Sequence, residues 1–314
     1  MRAVGLMEFG GPEVLHMMEL PDPEVGPGEV RIRVRAAAVN PTDTVLRSGG
    51  RADRLKDVAP PHVPGMDAAG VLEKLGEDVV TDLQVGDRVM AIVLPLGPRG
   101  AYAERVVVPA DSVALAPAAA TDVEAATLPM NGLTARAALD ELALASGGTL
   151  AVTGAAGAVG GYAIQLAKAA GLTVVADAAP ADELLVRELG ADAIVRRGDD
   201  FPVRVRAVVP GGVDGLVDAA LLDELAVGAV RDSGRIATLR GYDGAGSERR
   251  GITFFPVYVR THAHERDKLD RLRADAEDGT LTLRVARTMP GERAAEAHRL
   301  LEAGGIRGRL VLEL

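Results

Sequence analysis

Three glycines in the stretch TGAAGAVGG, residues 153–161, are of the residue type that a phosphate-binding turn requires. Gly154, Gly157 and Gly160 stand three residues apart, whereas dinucleotide-binding turns typically read G-x-G-x-x-G. A glycine at the first position lets the chain reverse tightly, and glycines at the next two let backbone N–H groups approach a pyrophosphate. The same spacing also suits a structural turn followed by close packing of a helix, so the motif alone leaves both interpretations open.

The residues on either side of the glycines favour phosphate binding. TLAVT, residues 149–153, has the pattern of a buried strand, and AVGGYAIQLAKAAG, residues 158–171, has the pattern of an amphipathic helix. A glycine turn between a strand and a helix places backbone N–H groups at the positive end of the helix, where a pyrophosphate binds. The predicted cofactor contacts in this turn are Gly154, Ala155, Ala156, Gly157, Ala158, Val159 and Gly160.

Charged residues after the next two predicted strands bear on which dinucleotide binds. Asp177 closes TVVAD, near the separation of about 20 residues at which an acid binds the ribose 2′-OH of NAD. Arg196 and Arg197 follow AIV in the third strand and could instead pair with the 2′-phosphate of NADP. Each of these side chains can also be an ordinary solvated charge at a strand end, so the residues alone do not choose.

The elements that position these residues fall into two textures of sequence. Residues 1–115 hold short β-like runs, such as EVRIRVRAAAV, broken by glycine- and proline-rich turns, and suit a partly open β-barrel or a sandwich. Between residues 125 and 260, apolar strands alternate with amphipathic helices, among them the predicted helix LDELAVGAVRDSG, residues 222–234. This alternation predicts a doubly wound parallel sheet in an α/β protein. A charged helix, HERDKLDRLRADAEDG, and a last strand, LVLEL, follow.

Length and composition limit the class of protein. A chain of 314 residues can bury a large core and is expected to form two domains. The net charge of −10, from 35 Lys and Arg against 45 Asp and Glu, argues against a nucleic-acid or membrane partner. The chain has no cysteine, which excludes disulfides, a thiolate nucleophile and Cys-ligated zinc. Since no signal core and no run of about 18 apolar residues occurs, we expect a soluble cytoplasmic protein.

Over almost its whole length the chain resembles the zinc-independent quinone oxidoreductase branch, zeta-crystallin-like, of the medium-chain dehydrogenase/reductases. The matching segments, in family order, are MRAVGLMEFGGPEVL, GPGEVRIRVRAAAVNPTD, VPGMDAAGV, LQVGDRVMA, GAYAERVVVPA, LPMNGLTARAAL, VTGAAGAVGGYAIQLAKAAG, LGADAI and GIRGRLVLEL. The resemblance implies a GroES-like, partly open β-barrel catalytic domain formed by residues 1–124 and 263–314. It also implies a Rossmann dinucleotide-binding domain, a doubly wound parallel sheet, formed by residues 125–262.

The resemblance also implies roles for single residues. Asn40, in the N-P-x-D segment, matches an asparagine beside the nicotinamide and the substrate, while Asp43 in the same segment matches a structural position. Thr134 and Arg309 match positions close to the cofactor. Phe254, in GITFFPVYV, matches a strand near the nicotinamide that pairs subunits in dimeric members, so a homodimer through residues 252–259 is expected. Alternatively, Asn40 holds a loop turn and Thr134 caps the helix ARAALDEL.

Some residues depart from the family pattern. Met66, in GMDAAG, stands where zinc-dependent relatives have a histidine ligand, and without sulfur ligands no catalytic zinc is expected. Val45 and Arg51 stand where several quinone reductases have tyrosines. The candidate catalytic residues are therefore Asn40, Arg51 and His62. His62, in APPHVPG, could act as an acid or as a substrate-orienting donor, with a surface loop histidine as the alternative.

Cofactor and reaction follow from the same resemblance. The diagnostic acid of NAD-dependent relatives falls nearer Ala178 than Asp177, and Arg197 stands near the position of a tyrosine that contacts the 2′-phosphate of NADPH. NADP(H) is thus favoured, although the usual lysine after the second strand is missing. The predicted reaction is metal-free hydride transfer to a quinone or to an alkene conjugated to a carbonyl. The alternatives are an enoyl reductase that tailors a biosynthetic intermediate and a non-catalytic NADPH-binding module.

Overall fold

The computed structural model describes residues 1–244 and 250–314. Their contacts divide the chain into two compact units. The barrel unit comprises residues 1–130, 263–278 and 283–314, and the parallel-sheet unit comprises residues 131–262 and 279–282. Residues 125–130, which we expected at the start of the second domain, cluster with the barrel unit.

The strands and helices are numbered in chain order. The strands are β1 Arg2–Gly5, β2 His16–Glu19, β3 Glu29–Ala38, β4 Asp67–Leu75, β5 Arg88–Ile92, β6 Arg105–Pro109, β7 Val113–Leu115, β8 Thr149–Thr153, β9 Thr173–Ala178, β10 Ala193–Arg196, β11 Val213–Asp218, β12 Val230–Leu239, β13 Thr253–Val257, β14 Val285–Pro290 and β15 Arg309–Glu313. The helices are α1 Pro41–Arg47, α2 Ala52–Leu55, α3 Asp122–Ala125, α4 Pro129–Leu142, α5 Ala158–Ala169, α6 Glu183–Glu188, α7 Phe201–Val208, α8 Glu224–Val227, α9 Arg266–Glu277 and α10 Ala294–Ala303.

The barrel unit is built around β3. Its main sheet has the order β14-β15-β3-β4-β5-β7, with β6 also paired to β3, and neighbours are antiparallel except for β14 and β15. Along β3, Val30, Ile32 and Val34 are buried, whereas the residues between them are more exposed. This period of two gives the sheet one apolar face, which closes over the core as a curved, partly open barrel. Of the two architectures that the short strands suit, a partly open barrel or a sandwich, the barrel is confirmed.

The parallel-sheet unit has the strand order β10-β9-β8-β11-β12-β13, and every neighbouring pair is parallel. Its central strands are apolar because parallel strands are covered on both faces, and β8 is buried from Leu150 to Thr153. The strand order reverses at β8, and in such sheets ligands bind at the carboxyl ends of the strands beside this point. The predicted doubly wound sheet is therefore confirmed, with Gly154 at its switch point.

The segment LDELAVGAVRDSG differs from its prediction. We expected one helix over residues 222–234, but α8 covers only Glu224–Val227, and β12 begins at Val230. The pairing of β12 with β11 shifts register between Val213 and Gly215, so the residues before Arg235 form an irregular start to the strand. Tertiary pairing with β11 thus overrides the local helical pattern. Among the described residues, no helix is both long enough and apolar enough to cross a membrane.

Candidate active site

The glycine turn after β8 depends on two of its three glycines for different reasons. Gly154 has φ +63°, which favours glycine, and a Cβ there would lie 3.0 Å from the carbonyl carbon of Ala219. Gly160 lies within the first turn of α5, where a Cβ would collide with the carbonyl oxygen of Gly154 and lie 2.7 Å from its carbonyl carbon. Gly157 has φ −73°, so its conformation is open to other residues. At Gly154 and Gly160, therefore, a side chain would require the surrounding backbone to shift.

The helix α5 begins directly after this turn, and its N-terminus has no side-chain cap. Gly157 is the N-cap residue and has no side chain with which to bond the first-turn N–H groups, which lack acceptors inside the helix. The helix dipole adds partial positive charge at the same end. Buried Ile164 and Leu166 anchor α5 against the sheet. The cradle of small residues at a helix N-terminus fits a dinucleotide pyrophosphate.

Asp177 faces the glycine turn. It lies at the end of β9, is only 6% exposed, and accepts a hydrogen bond of 3.0 Å from the backbone N–H of Ala155. Burial raises the pKa of Asp177, while the turn N–H groups and the Arg197 guanidinium act in the opposite direction. Neither of our two interpretations of Asp177 included this bond, and contact between Asp177 and a ribose stays a prediction. Ala178, the next residue, is buried.

Arg196 and Arg197 extend into solvent beyond β10. The N–H of Arg197 donates to the carbonyl of Ala178 at 2.9 Å, which continues the pairing of β10 with β9. Arg204, in α7, donates to the carbonyl of Arg196 at 2.7 Å and holds the end of the strand. Within the described part of the chain, neither Arg196 nor Arg197 forms an ion pair. Their guanidinium groups are therefore available to an anion, as the prediction of a 2′-phosphate contact requires.

Two further predicted cofactor residues lie elsewhere in the parallel-sheet unit. Thr134 is buried in the interior of α4, which begins at Pro129, so the alternative that Thr134 caps a helix is wrong. Phe254 lies half-buried in β13 and packs edge-to-face on Tyr242, with ring centroids 5.7 Å apart. For both residues, contact with the cofactor stays a prediction.

A buried polar network in the barrel unit joins Asn40 to Arg309. The Nδ2 of Asn40 donates to Asp67 Oδ2 at 2.8 Å, and the Oδ1 of Asn40 accepts from Arg309 Nη2 at 2.5 Å. Arg309 also donates to the carbonyl of Val39 at 2.7 Å and lies 3.7 Å from the Asp67 carboxylate. Asp67 Oδ1 accepts from the N–H of Met130 at 2.6 Å. Asn40 and Arg309 therefore brace the loop before α1 against β4 and β15.

Asp43, in α1, extends this network to Gly65 and Tyr102. Its carboxylate accepts from the N–H groups of Asn40 and Gly65, at 2.8 and 3.1 Å, and from the hydroxyl of Tyr102 at 3.2 Å. Burial raises the pKa of Asp43 to about 7 despite these bonds. The Tyr102 hydroxyl also lies 3.3 Å from Nε2 of His298, whose pKa burial lowers to about 3. These contacts agree with a structural role for Asp43.

Asp67 was absent from our predicted site residues, although it holds the network together. Burial raises the pKa of Asp67, while the Arg309 guanidinium and the bonds from Asn40 and Met130 lower it. A signal was present in GMDAAG, because an acid within a buried apolar strand needs a charged or donor partner. Asn40 is completely buried, and its contact with a substrate stays a prediction.

His62 is buried, so the alternative of a surface loop histidine is wrong. Its backbone pairs with Leu6, and its ring stacks on Phe9 with centroids 5.4 Å apart and planes 3° from parallel. Nδ1 of His62 has no hydrogen-bond partner among the described residues, and burial lowers the pKa of the imidazole. A neutral imidazole can orient a substrate better than it can donate a proton. Arg51 is half-buried at the N-cap position of α2.

Within residues 1–244 and 250–314, no group of three or more His, Cys, Asp or Glu side chains is arranged to hold a metal ion.

Family models match both halves of the chain. The alcohol dehydrogenase GroES-like domain matches residues 26–118, and the zinc-binding dehydrogenase model matches residues 189–312. The quinone oxidoreductase of Lama guanicoe is 30% identical over 336 residues, covering 100% of this chain and 98% of the relative. An NADPH-dependent alkenal/one oxidoreductase of Arabidopsis thaliana, chloroplastic, is 35% identical over 249 residues. That match covers 77% of this chain and 63% of the relative, less than two thirds of its length.

Solved structures resemble the whole chain. An NAD-dependent alcohol dehydrogenase is 33% identical with a TM-score of 0.87, covering 100% of both chains. The quinone oxidoreductase from Coxiella burnetii is 29% identical with a TM-score of 0.89, covering 100% of this chain and 99% of the other. A mycobacterial protein complexed with NADPH is 27% identical with a TM-score of 0.88, covering 100% of both chains.

Proposed function

Since the chain belongs to the medium-chain dehydrogenase/reductases, in their zeta-crystallin-like quinone oxidoreductase branch, we propose that it is an NADPH-dependent reductase of electron-poor carbon acceptors. The acceptor is a quinone or an alkene conjugated to a carbonyl. The relatives named quinone oxidoreductase and alkenal/one oxidoreductase support this class of acceptor. The alternatives are an enoyl reductase of a biosynthetic intermediate and a non-catalytic NADPH-binding module.

One observation carries the choice of NADPH. The Asp177 carboxylate is engaged by the Ala155 N–H, while Arg196 and Arg197 extend from the neighbouring strand without an ion pair among the described residues. Guanidinium groups suit a 2′-phosphate, whereas an acid engaged elsewhere is a poor ligand for a ribose 2′-OH. The mycobacterial structure with NADPH supports the same choice, whereas the similarity to an NAD-dependent alcohol dehydrogenase opposes it.

Hydride transfer to such an acceptor requires little acid or base catalysis from the protein. NADPH supplies a hydride when it is bound. The glycine turn and the N-terminus of α5 would hold the pyrophosphate, and Arg196 and Arg197 would bind the 2′-phosphate. A quinone or conjugated alkene accepts hydride at carbon, and the delocalised anion takes its proton from water. Met66 in place of a histidine ligand, in a chain without cysteine, accords with this metal-free chemistry.

Cofactor choice is tested by fluorescence titration with NADPH and NADH. We expect the wild type to bind NADPH more tightly, and Arg196→Ala with Arg197→Ala to weaken NADPH binding while leaving NADH binding nearly unchanged. Arg187→Ala, on the solvent-exposed side of α6, is the control for loss of a surface charge. Equal or reversed affinities in the wild type would overturn the assignment.

The reaction is tested by following NADPH oxidation with quinones, enones and enoyl thioesters. We expect turnover with quinones or enones. Turnover with enoyl thioesters alone would favour the biosynthetic alternative. Tight NADPH binding with no turnover on any acceptor would favour the binding module.

The proposal includes a homodimer formed through β13. This strand lies at the edge of the parallel sheet and pairs with β12 alone among the described strands. Phe254, Phe255 and Pro256 are only half-buried there. An apolar sheet edge is a ready template for strand pairing, and pairing with a second copy would cover it.

A further inference from the structure

We propose that two buried carboxylates, Asp177 and Asp218, position the glycine turn for the dinucleotide and bind no part of the dinucleotide themselves. The inference rests on the proposed function, because it assumes that the turn receives a pyrophosphate. Asp177 is the penultimate residue of β9 and Asp218 is the last residue of β11, and these strands lie on either side of β8. They therefore hold the turn from opposite sides at the carboxyl edge of the sheet.

Asp218 ties the loop after β11 to the last residue of β8. Its Oδ1 accepts from the Thr153 hydroxyl at 2.6 Å and from the N–H of Leu222 at 3.1 Å. Its Oδ2 accepts from the N–H of Asp223 at 2.7 Å. Thr153 Oγ1 in turn accepts from the N–H of Ala220 at 3.0 Å. Asp218 and Thr153 are both fully buried, so these bonds have no competition from water.

The loop held by Asp218 has a strained backbone. Leu221 has φ +59° and Asp223 has φ +51°, values that residues with a side chain adopt at an energetic cost. Such conformations persist where the surroundings over-determine them, and here the Asp218 carboxylate accepts from the N–H groups of Leu222 and Asp223. Without Asp218, we expect this loop to relax to another conformation.

The strained loop forms one wall of the glycine turn. A Cβ on Gly154 would lie 3.0 Å from the carbonyl carbon of Ala219 and 3.1 Å from the nitrogen of Ala220. On the opposite side, Asp177 accepts from the N–H of Ala155. The position of the turn is thus set by two contacts, one from each neighbouring strand, and a shift in either would move the N–H groups that face the pyrophosphate.

The negative charge of both acids is a reason for them to position the turn and not to contact the dinucleotide. Asp177 and Asp218 repel a polyanion, and the charged groups that face Asp177 are Arg197 and Asp218, with Asp223 close to Asp218. Both oxygens of Asp218 accept from N–H or hydroxyl donors of the protein, and Oδ1 of Asp177 accepts from the N–H of Ala155. Their contribution to binding is therefore the geometry of the turn.

Thr153→Val tests the Asp218 side of this arrangement. The substitution keeps side-chain volume and removes the hydroxyl that joins Asp218 to Ala220. We expect the Kd values for NADPH and NADH to rise by similar factors of about tenfold, because one lost buried hydrogen bond corresponds to about that change. Thr153→Ser restores the hydroxyl and should recover most of the affinity.

The chain offers a matched control at the other end of the same two strands. The Thr149 hydroxyl donates to Asp214 at 2.8 Å, which joins the first residue of β8 to the second residue of β11, as Thr153 and Asp218 join the last residues. Thr149→Val should therefore leave both Kd values near those of the wild type. Equal weakening by Thr149→Val and Thr153→Val would show a general loss of sheet stability and overturn the positioning role.

Asp177 is tested by comparing asparagine with alanine. Asp177→Asn keeps an oxygen that accepts from Ala155 and removes the negative charge, so NADPH and NADH should bind as tightly as in the wild type or more tightly. Asp177→Ala removes the acceptor and should weaken both. A loss of NADH affinity alone in Asp177→Asn would identify Asp177 as a ribose ligand and overturn the proposal for this residue.

Amide hydrogen exchange of the protein without dinucleotide tests the positioning role of Asp177 and Asp218 separately from the proposed reductase function. We expect faster exchange at Ala155 in Asp177→Ala and at Ala220 in Thr153→Val, with Thr149→Val unchanged at both amides. Unchanged exchange in all variants would overturn the positioning inference whatever the affinities. A wild type that binds neither dinucleotide, yet shows the expected exchange pattern, would overturn the proposed function and leave the bracing of the turn supported.

Discussion

Arg309 and Asp67 form a buried charged pair whose members come from distant parts of the chain. The Arg309 side chain donates to Val39 and Asn40 and lies 3.7 Å from Asp67, which is fully buried. A buried ion pair adds little stability compared with apolar residues at both positions. Removing one partner alone, however, leaves the other charge buried and uncompensated. The stability of the barrel unit should therefore depend strongly on Arg309.

We expect Arg309→Met to lower the free energy of unfolding by about 3–5 kcal/mol, because Asp67 would lose its counter-charge at a fully buried position. Equilibrium denaturation in urea measures the change. The control is Arg35→Met, since the Arg35 side chain is 52% exposed in its pair with Asp122 and such surface pairs contribute about 0–1 kcal/mol. Similar losses in the two variants would contradict the burial argument.

His298 is a buried neutral imidazole in α10. Burial and the nearby Arg47 guanidinium lower its pKa from 6.5 to about 3. Between these two pH values the unfolded chain binds a proton at His298 that the folded chain does not, so stability falls as pH falls. Above pH 6.5 the His298 imidazole causes no loss of stability, and the loss grows as the pH falls from 6.5 toward 3.

We expect His298 to lower the free energy of unfolding on acidification below pH 6.5, by up to about 1.4 kcal/mol per pH unit relative to a variant without the imidazole. His298→Gln should reduce this slope, and His16→Gln, at an exposed position of β2, should retain it. The raised pKa of Asp43, about 7, acts with opposite sign, because its stabilisation is greatest at low pH and declines toward pH 7. Denaturation at several pH values measures the slopes, and identical slopes in wild type and His298→Gln would refute the assignment.

At the scale of elements, α5 must approach β8 closely for its N-terminus to face the glycine turn. Gly160 permits this approach, because a Cβ there would collide with the carbonyl oxygen of Gly154 and lie 2.9 Å from the Cα of Ala155. Both obstacles are backbone atoms, which cannot rotate away as the end of a side chain can. The short distance between α5 and the turn therefore depends on Gly160 having a hydrogen atom where other residues have a Cβ.

We expect Gly160→Ala to displace α5 from the turn, to destabilise the protein by about 1–3 kcal/mol and to weaken dinucleotide binding by tenfold or more. Gly211→Ala is the control, because a Cβ at Gly211 meets no atom within 4 Å. Thermal unfolding and fluorescence titration measure the two effects. Unchanged binding in Gly160→Ala would show that the turn tolerates a wider helix spacing.

At the scale of the whole molecule, the exposed edge at β13 bears on assembly. TFFPV has no charged side chain, although charged residues commonly protect sheet edges from association. Pairing between two copies at this edge would bury Phe255 and extend the parallel sheet across both protomers.

We expect light scattering to give twice the chain mass of 32.5 kDa for the wild type and a lower mass for Phe255→Lys. Leu184→Lys is the control, because Leu184 is 65% exposed on α6 and places the same charge away from β13. A monomeric wild type, or dissociation of both variants, would exclude assembly through β13.

Local patterns in the amino-acid sequence predicted much of the fold. The alternation along β3 and the strand, glycine turn and helix around Gly154 were predicted because side-chain period and glycine placement act over a few residues. The segment 222–234 was predicted incorrectly as one helix, because its pairing with β11 involves residues that its own pattern does not contain.

The residues alone indicated a barrel or a sandwich followed by a doubly wound sheet, with a glycine turn between a strand and a helix of that sheet. Tertiary structure decided that Asp177 accepts from the Ala155 N–H, that Asp67 meets Arg309, and that His62 is buried against Phe9. The reason is physical. Burial forces each polar group to find a partner, but the partner it finds depends on which distant strands the packing brings alongside.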